Sequence, residues 1–334
     1  MLVLDAEAVQ KLHPMAESIE VMRGALRAFS AGSVVQPQRT MLRTPGGDAL
    51  AVMPAYVGPS PEAPHAGFGI KMIAIKPGNP AIGLDAHLGM VLVLDERTGV
   101  PRALMDGATI TAIRTAAVSA VATDVLARAD AERLAVIGSG VQARSHLTAM
   151  AQVRKLSGVR VWSRNPDRAR EFAAWAEQQG HPFPVEPAES VARATEDADI
   201  VCTVTGSTEP LLEADHVRDG AHINAVGSSF PDKRELSGEL VARCSVFVDS
   251  RDSALVEAGD VRAPIAEGLM SPDDIRAEVG EVLLGRRAGR TDPDETTLFK
   301  SLGLAVEDVL AGFAIEGRAR ELGVGTEVAL FAEE

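Results

Sequence analysis

The chain has 334 residues, of which 46% are hydrophobic and 24% are charged, and its formal net charge at pH 7 is −14. This balance is typical of a globular protein with about two domains and a sizeable core. Nucleic acid and anionic membrane surfaces are unfavourable partners, because both require a basic protein surface. An anionic cofactor or substrate must therefore be bound by a few cations at defined positions.

The sequence further predicts a cytoplasmic protein without a membrane segment. No stretch approaches the ~20 uninterrupted apolar residues of a transmembrane helix, and residues 1–20 carry acids instead of a signal-peptide pattern. The two cysteines, Cys202 and Cys244, are too few for a disulfide framework, so we expect reduced core residues. The histidines lack metal-ligand spacing and the carboxylates are dispersed, so no metal site is predicted.

The first third of the chain predicts a helix followed by a sheet. Within residues 14–32, apolar side chains recur at helical spacing, which predicts one buried helix face. Extended segments separated by Pro and Gly follow and predict a mainly antiparallel sheet; they are residues 38–44, 49–57, 67–76, 88–94 and 101–105. Ala, Thr and Val at helical spacing over residues 109–129 then predict a helix that leaves this domain near residue 115.

The middle of the chain has a different pattern. Short apolar strands alternate there with helical segments, which predicts a parallel, doubly wound sheet; the strands are residues 134–137, 159–162, 200–204, 222–226 and 246–248. Residues 297–303 lead into a long helix, 304–322, that comes too late for another strand-helix unit. The predicted fold is α/β: a Rossmann domain, residues 116–304, beside a discontinuous α+β domain, residues 1–115 plus 305–334.

A glycine-rich turn opens the predicted Rossmann domain. Directly after the strand 134–137 the chain reads Gly138, Ser139, Gly140, Val141, Gln142, Ala143, which is the pattern G-x-G-x-x-A. Gly138 permits a tight turn, Gly140 a close approach to a pyrophosphate, and Ala143 close helix-strand packing, while N–H groups at the helix start bind phosphate. Alone the pattern also fits an ordinary turn, but its position between strand and helix predicts a dinucleotide site at Gly138, Gly140, Val141 and Gln142.

The end of the second Rossmann strand predicts the cofactor type. An acid that would bind the ribose 2′-hydroxyl of NAD is missing there, and Ser163, Arg164 and Asn165 stand in its place. A guanidinium can form a bidentate pair with a 2′-phosphate, so NADPH is the predicted cofactor and NADH remains possible. The alternative is that Arg164 is a solvated cation and Asp167 takes the role of the acid.

Strand ends carry ligands in this class of fold. Thr203 and Thr205 at the end of the third strand, and Val226 and Gly227 at the end of the fourth, are therefore expected to border the nicotinamide. Plain strand termination is the alternative for all of them.

Over nearly its whole length the chain resembles the ornithine cyclodeaminase/mu-crystallin family. The resemblance is carried by short motifs along the chain; they are residues 69–71, 106–107, 110–117, 138–144, 220–227, 234–236, 248–251, 259–261 and 299–303. It implies a substrate-binding, dimerising domain, made from the N-terminal part and the last helix, beside the Rossmann domain. A homodimer is therefore expected.

One position favours a branch of this family. Cyclodeaminases and archaeal alanine dehydrogenases that resemble this chain carry Asp two residues after the equivalent of Gly227, whereas Ser229 stands here. The mu-crystallin-like ketimine reductases also carry Ser, followed by Pro-Asp and Arg-Glu-Leu. A preformed ketimine needs only a hydride and a proton, so less base is required. His87, Leu88, Gly89 departs from the more usual His-Gln-Gly.

The resemblance also implies the roles of individual residues. Arg39, Lys71 and Arg114 would bind the substrate carboxylate, and Lys71 would polarise the substrate or relay a proton. The catalytic residues would be Lys71, Arg114 and Ser229. Salt bridges or exposed charges are the alternative for each cation. His87 fits a proton relay and a hydrogen-bonded core histidine equally well. Thr115 is expected to bind phosphate, and Ser301 and Leu302 to lie near the nicotinamide.

Together these inferences predict an enzyme in which NADPH reduces a small cyclic imino acid. The substrate would be Δ1-pyrroline-2-carboxylate or Δ1-piperideine-2-carboxylate, reduced to proline or pipecolate. Ornithine cyclodeamination and alanine-type oxidative deamination are the alternative reactions on the same fold. A non-enzymatic binder of NADPH and a small ligand is the alternative of a different class.

Overall fold

The computed structural model describes residues 1–330, apart from the side chain of Pro80. Its contacts divide the chain into two units: residues 1–114 together with the segment from Gly303 onward, and residues 115–302. The boundaries expected from the sequence differ from these limits by one or two residues. The end of the expected first domain, residues 331–334, lies outside the described residues.

The first unit combines helices with one eight-stranded sheet. In chain order its elements are β1 (Leu2–Leu4), α1 (Ala6–Leu12), α2 (Met15–Ala31), β2 (Val34–Val35), β3 (Thr40–Arg43), β4 (Ala49–Val57), β5 (Gly67–Ile75), β6 (His87–Leu94), β7 (Pro101–Asp106), α3 (Gly107–Leu126), α11 (Ala305–Leu322) and β16 (Thr326–Glu327). A short 3-10 helix, Asn79–Ile82, lies between β5 and β6.

The sheet of the first unit is antiparallel except where β1 pairs with β7, which confirms the predicted arrangement. Its order is β16-β1-β7-β6-β5-β4-β2, and β3 pairs with the other half of β4. Helix α11 packs on one face, where small residues allow a close approach: a Cβ on Gly69 would lie 2.7 Å from Val309, and one on Gly312 would lie 2.9 Å from Val93. Strands of two or three residues, such as β1, show too little periodicity for detection in the sequence.

Helix α3 contains the boundary between the units, after Arg114. Its length and hydropathy would allow it to cross a membrane, but 72% of its most apolar window is buried inside the protein. Such burial is typical of the core helix of a globular fold.

The second unit alternates strands and helices. In chain order its elements are β8 (Arg133–Ile137), α4 (Val141–Val153), β9 (Gly158–Trp162), α5 (Pro166–Gln178), β10 (Val185–Pro187), α6 (Val191–Thr195), β11 (Ile200–Thr203), β12 (His222–Ala225), α7 (Gly238–Arg243), β13 (Ser245–Val248), α8 (Arg251–Glu257), α9 (Gly259–Ala266), β14 (Ile275–Glu278), α10 (Val279–Leu283) and β15 (Thr297–Lys300). Two 3-10 helices, Ala214–His216 and Pro272–Asp274, connect them.

All strands of this second sheet are parallel, in the order β10-β9-β8-β11-β12-β15-β13-β14, which confirms the doubly wound α/β fold. The prediction for residues 297–303 was wrong in one respect. Residues 297–300 form a central strand, β15, between β12 and β13, and not merely a lead into α11. Four buried residues that end in a lysine carry no strand signal, and only pairing on both sides stabilises them there.

Candidate active site

A buried cluster of charges lies in the first unit. Lys71, in the middle of β5, donates a hydrogen bond from Nζ to Oδ1 of Asp308 at 2.8 Å. Arg114 on α3 donates from Nε to the same oxygen at 3.2 Å and from Nη1 to Oε2 of Glu307 at 2.6 Å. Lys71 is only 1% exposed and Arg114 only 5%. The structure therefore brings two of the predicted substrate cations onto one carboxylate at the start of α11.

Burial changes the acid-base behaviour of Lys71. The pKa of its ammonium group is lowered from 10.5 to about 8. Removal from water is the main cause, the positive charges of Arg114 and Arg39 act in the same direction, and Asp308 opposes the shift. Lys71 is thus still protonated at neutral pH but releases its proton far more readily than a surface lysine. A proton donor for catalysis needs a pKa in this range.

Arg39 joins the cluster through the backbone turn before α11. Its Nη2 donates to the carbonyl oxygen of Gly303 at 3.2 Å. Gly303 has a φ of +82°, and a Cβ there would lie 2.5 Å from Nη1 of Arg114, so only glycine fits. The three cations and the two carboxylates carry a net charge of +1, which suits an anionic ligand.

Glu307 and Asp308 are site residues that the sequence did not predict. Both are 0% exposed, although most of the other buried residues of α11 are apolar. Two adjacent acids among apolar residues, four positions after the motif of residues 299–303, were the available signal.

Two other predicted residues, His87 and Ser229, occupy different parts of the fold. His87 is exposed, begins β6 and pairs with Ile75. It is therefore separated from Lys71 by four positions along β5, roughly 13 Å at the rise of a strand. Ser229 belongs to the second unit, where it is half-buried in the loop after β12.

The glycine-rich turn of the second unit has the geometry that a dinucleotide requires. Gly138 has a φ of +124°, and a Cβ there would lie 2.8 Å from the carbonyl oxygen of Val204. Gly140 precedes helix α4, and the space where its Cβ would stand is open. Val141 is 65% exposed and Ala143 is fully buried. The N–H groups at the start of α4 and the open space over Gly140 fit a pyrophosphate.

Three residues predicted to contact the ribose of the cofactor follow β9. Ser163 accepts a hydrogen bond from Ser139 Oγ at 2.9 Å, which links it to the glycine turn. Asn165 caps helix α5 by accepting from the backbone of Asp167 at 2.9 Å. Arg164 is exposed and forms no ion pair with any described residue. Asp167, the alternative ribose ligand, forms an ion pair with Arg170 on its own helix.

A buried carboxylate organises the carboxyl edge of the second sheet. Oε1 of Glu235 accepts from the backbone N–H and the hydroxyl of Thr205, both at 2.7 Å. Oε2 accepts from Thr203 Oγ1 at 2.8 Å and from the backbone N–H of Gly227 at 2.7 Å. One side chain therefore fixes the ends of β11 and β12. A Cβ on Gly227 would lie 2.4 Å from Glu235, so the fit requires glycine.

The two predicted threonines both belong to this network. Thr203 is 0% exposed and donates its hydroxyl to Glu235, so its side chain supports the strand end. Thr205 is half-buried and also donates its hydroxyl to Glu235. Sequence reasoning placed both residues at the correct strand end but could not identify their partner, which lies some thirty residues later in the chain.

A second acid extends the network. Asp260 accepts from the backbone N–H groups of Glu235 and Leu236 at 2.7 and 3.1 Å, and from Lys300 Nζ at 2.8 Å. Burial and the neighbouring carboxylate of Asp260 raise the pKa of Glu235 above its usual value. Asp260 and Lys300 are both 0% exposed.

The remaining predicted cofactor residues lie at the ends of neighbouring strands. Val226 donates its backbone N–H to Thr203, and Ser301 donates to Ala225 at the ends of β12 and β15. Leu302 donates its backbone N–H to Asp249 at 2.6 Å. Thr115 lies on α3 and is 7% exposed. Four of the predicted residues, Val226, Gly227, Ser301 and Leu302, therefore share the carboxyl edge of β12 and β15.

Three further features bear on the chemistry of the described residues: metal-binding groups, thiols and a further cavity. No group of three or more His, Cys, Asp or Glu is placed to hold a metal ion within residues 1–330. Cys202 and Cys244 are free, and burial raises the pKa of both thiols to about 12. A cavity of about 150 Å³ lies at the amino ends of β8 and β9, away from the glycine turn, beside Arg133 and Arg160, which both pair with Asp197.

The sequence model of the ornithine cyclodeaminase/mu-crystallin family matches residues 1–322. The chain belongs to this family. It is 37% identical over 332 residues to a Delta(1)-pyrroline-2-carboxylate reductase of Bacillus cereus, with 98% of this chain and 99% of the relative covered. It is 40% identical over 313 residues to the ketimine reductase mu-crystallin of Mus musculus, covering 92% and 94%.

A solved structure from the same family has the same fold. The Delta(1)-pyrroline-2-carboxylate reductase of Thermococcus litoralis, in complex with NADH and L-proline, aligns with a TM-score of 0.93 at 37% identity. The alignment covers 98% of this chain and 100% of that one. Both units of this family member therefore have counterparts in that reductase.

Proposed function

We propose that the protein is an NAD(P)H-dependent reductase of a cyclic ketimine acid, converting Δ1-pyrroline-2-carboxylate or Δ1-piperideine-2-carboxylate to proline or pipecolate. The observation that carries the proposal is the buried Lys71, with its pKa lowered to about 8, on the same carboxylate as Arg114. The likeness to reductases of two kingdoms of organisms supports the same reaction class.

The three cations of the cluster have different roles in this reaction. Arg114 and Arg39 bind the substrate carboxylate and fix the orientation of the ring, which supplies much of the rate. Lys71 provides the proton for the imine nitrogen from its ammonium group. The dinucleotide, when bound, supplies the hydride for the imine carbon. No base for proton abstraction from carbon is needed, in keeping with Ser229 at the position where cyclodeaminases carry Asp.

Purified protein with both imines and NADPH or NADH tests the proposal. Loss of reduced-nicotinamide absorbance, with proline or pipecolate as product, is the expected result. Consumption of ornithine with ammonia release and no net change in cofactor would replace the reductase with a cyclodeaminase. Binding of NADPH without turnover of any of these compounds would favour the non-enzymatic binder.

We further infer a preference for NADPH. Arg164 is exposed beside the glycine turn and has no ion-pair partner among residues 1–330, so its guanidinium is available for a 2′-phosphate. A charge-assisted hydrogen bond contributes about 1.5–3 kcal/mol, so Arg164→Ala should weaken NADPH binding about tenfold or more. NADH binding should barely change, and Arg168→Ala, an exposed arginine paired with Glu171, is the matched control. An unchanged ratio of the two affinities would contradict the inference.

We infer a homodimer through the outer face of the first sheet. Five apolar side chains share this face and are 38–61% exposed; they are Leu42, Leu50, Phe68, Leu88 and Met90. Several exposed large apolar side chains on one sheet face are typical of an interaction surface, and two identical apolar faces are complementary about a two-fold axis. A second copy of the chain is therefore the expected occupant.

Light scattering should give twice the 35.1 kDa of the chain. Leu88→Lys should shift the mass toward the monomer, whereas Leu322→Lys, at a comparably exposed apolar residue of α11, should not. A monomeric parent protein would overturn the inference. The cytoplasmic location stays a prediction from composition.

A further inference from the structure

The two oxygens of Asp308 have unequal surroundings. Oδ1 accepts hydrogen bonds from both Lys71 and Arg114. Oδ2 is buried and accepts no hydrogen bond from any described residue, although Asp308 is 0% exposed. One half of this carboxylate is thus fully used by two cations, and the other half is left without a donor.

Such an oxygen is costly in a folded protein. Removing a charged oxygen from water without a replacement donor costs more than a typical hydrogen bond contributes, so buried polar atoms are nearly always paired. Two buried acids of the second unit follow this rule: Glu235 accepts four hydrogen bonds, and both oxygens of Asp260 have donors. The unpaired oxygen of Asp308 therefore indicates a ligand that brings its own N–H.

The ligand required by the proposed function has such a group. A protonated cyclic imine carries one N–H on a positive nitrogen, and the product amine, once protonated, carries two. The carboxylate of the same ligand needs cations, and Arg114 is hydrogen-bonded to Asp308. One small zwitterion can therefore contact Arg114 with its carboxylate and Asp308 with its nitrogen.

We propose that Oδ2 of Asp308 binds the nitrogen of the substrate and of the product by accepting its N–H, which makes Asp308 a catalytic residue and a determinant of specificity. The inference rests on the proposed function and deepens it. An acceptor at this position favours the iminium form that results when Lys71 transfers its proton to the imine nitrogen. The carbon of an iminium accepts hydride more readily than that of a neutral imine. A ring with oxygen in place of the N–H would instead set two acceptors against each other.

The test compares two ligands that differ only at this atom. L-proline and (S)-tetrahydrofuran-2-carboxylate are titrated as inhibitors of imine reduction by the parent protein, by Asp308→Asn and by Glu307→Gln. Glu307 accepts a hydrogen bond from the same guanidinium of Arg114 that contacts Asp308, so its variant is the matched control for a purely positional effect. Unfolding curves show whether each variant is folded.

The expected result is a selective change. Asp308→Asn should weaken L-proline about tenfold or more, the loss of one charge-assisted hydrogen bond, and should leave the oxygen analogue bound equally or more tightly. Glu307→Gln should weaken both ligands by a similar factor. An equal loss of both ligands in Asp308→Asn would overturn the proposal and leave Asp308 as a positioning residue for Lys71 and Arg114.

Measurements on the parent protein alone also test the proposal. If Asp308→Asn does not fold, the parent protein still decides the question, because it should bind L-proline at least about tenfold more tightly than the oxygen analogue. Equal affinities would contradict the role of Asp308. Failure of the parent protein to reduce any cyclic imine would instead overturn the proposed function itself.

Discussion

Both units bury acids together with a lysine, but the two groups of charges differ in how completely they are hydrogen-bonded. In the first unit Lys71, Arg114, Glu307 and Asp308 form a cluster that still has an unpaired carboxylate oxygen. In the second unit Glu235 accepts four hydrogen bonds from the backbone and side chains of two strand ends. The second network is saturated by the protein itself, whereas the first is not.

This difference separates a structural network from a binding site. A saturated carboxylate gains its stabilisation on folding and has nothing left for a ligand. An unsaturated one destabilises the folded protein until a ligand arrives, so its cost indicates a function. Burial or a shifted pKa alone would not distinguish the two, because Lys71 and Glu235 have both.

Removing Lys71 should have the largest effect on catalysis. Lys71→Met should lower kcat about a hundred- to ten-thousand-fold, the contribution of a positioned proton donor. Binding of NADPH should persist, and stability should fall little because Asp308 keeps Arg114 as a partner. Lys76→Met, at an exposed lysine just after β5, should keep full activity in the same assay. Equal loss of turnover and of cofactor binding would remove the assigned role.

Removing the buried lysine of the second unit, Lys300, should lower the free energy of unfolding. Lys300→Met leaves the carboxylate of Asp260 buried without its cation, and breaking such a pair costs about 3–5 kcal/mol of unfolding free energy. Denaturant unfolding followed by circular dichroism measures the loss. Lys155→Met, at an exposed lysine, serves as the control. Retained stability in Lys300→Met would show that the network is not the structural element inferred here.

The smallest expected effect is on the pH dependence of catalysis, which tests the charge interactions around Lys71. Lys71 donates a proton only as ammonium, which exists below its pKa, so kcat/KM should decline as pH rises through about 8. Asp308 raises the pKa of Lys71, whereas Arg114 and Arg39 lower it. Asp308→Asn should therefore move the decline to lower pH. A pH profile that is the same in both proteins would exclude Lys71 as the titrating group.

Local signals in the sequence predicted much of the fold. The strand, glycine turn and helix of residues 133–153 follow each other within a few residues, so pattern and spacing suffice. Strand β15 could not be predicted in the same way. Its four residues gain their structure from β12 and β13, which lie on either side of it in space but well before it in the chain.

The candidate site shows the same division. The sequence by itself determined the residue types: the glycine pattern at Gly138, the cation Arg164 in place of an acid, and the three cations Arg39, Lys71 and Arg114. Only the tertiary structure decided which acids meet them, because Asp308 lies 237 residues from Lys71 along the chain. Hydrogen bonding depends on distances of about 3 Å between atoms, and chain folding alone brings such distant residues together. Which carboxylate oxygen is left for a ligand is accordingly a property of the fold.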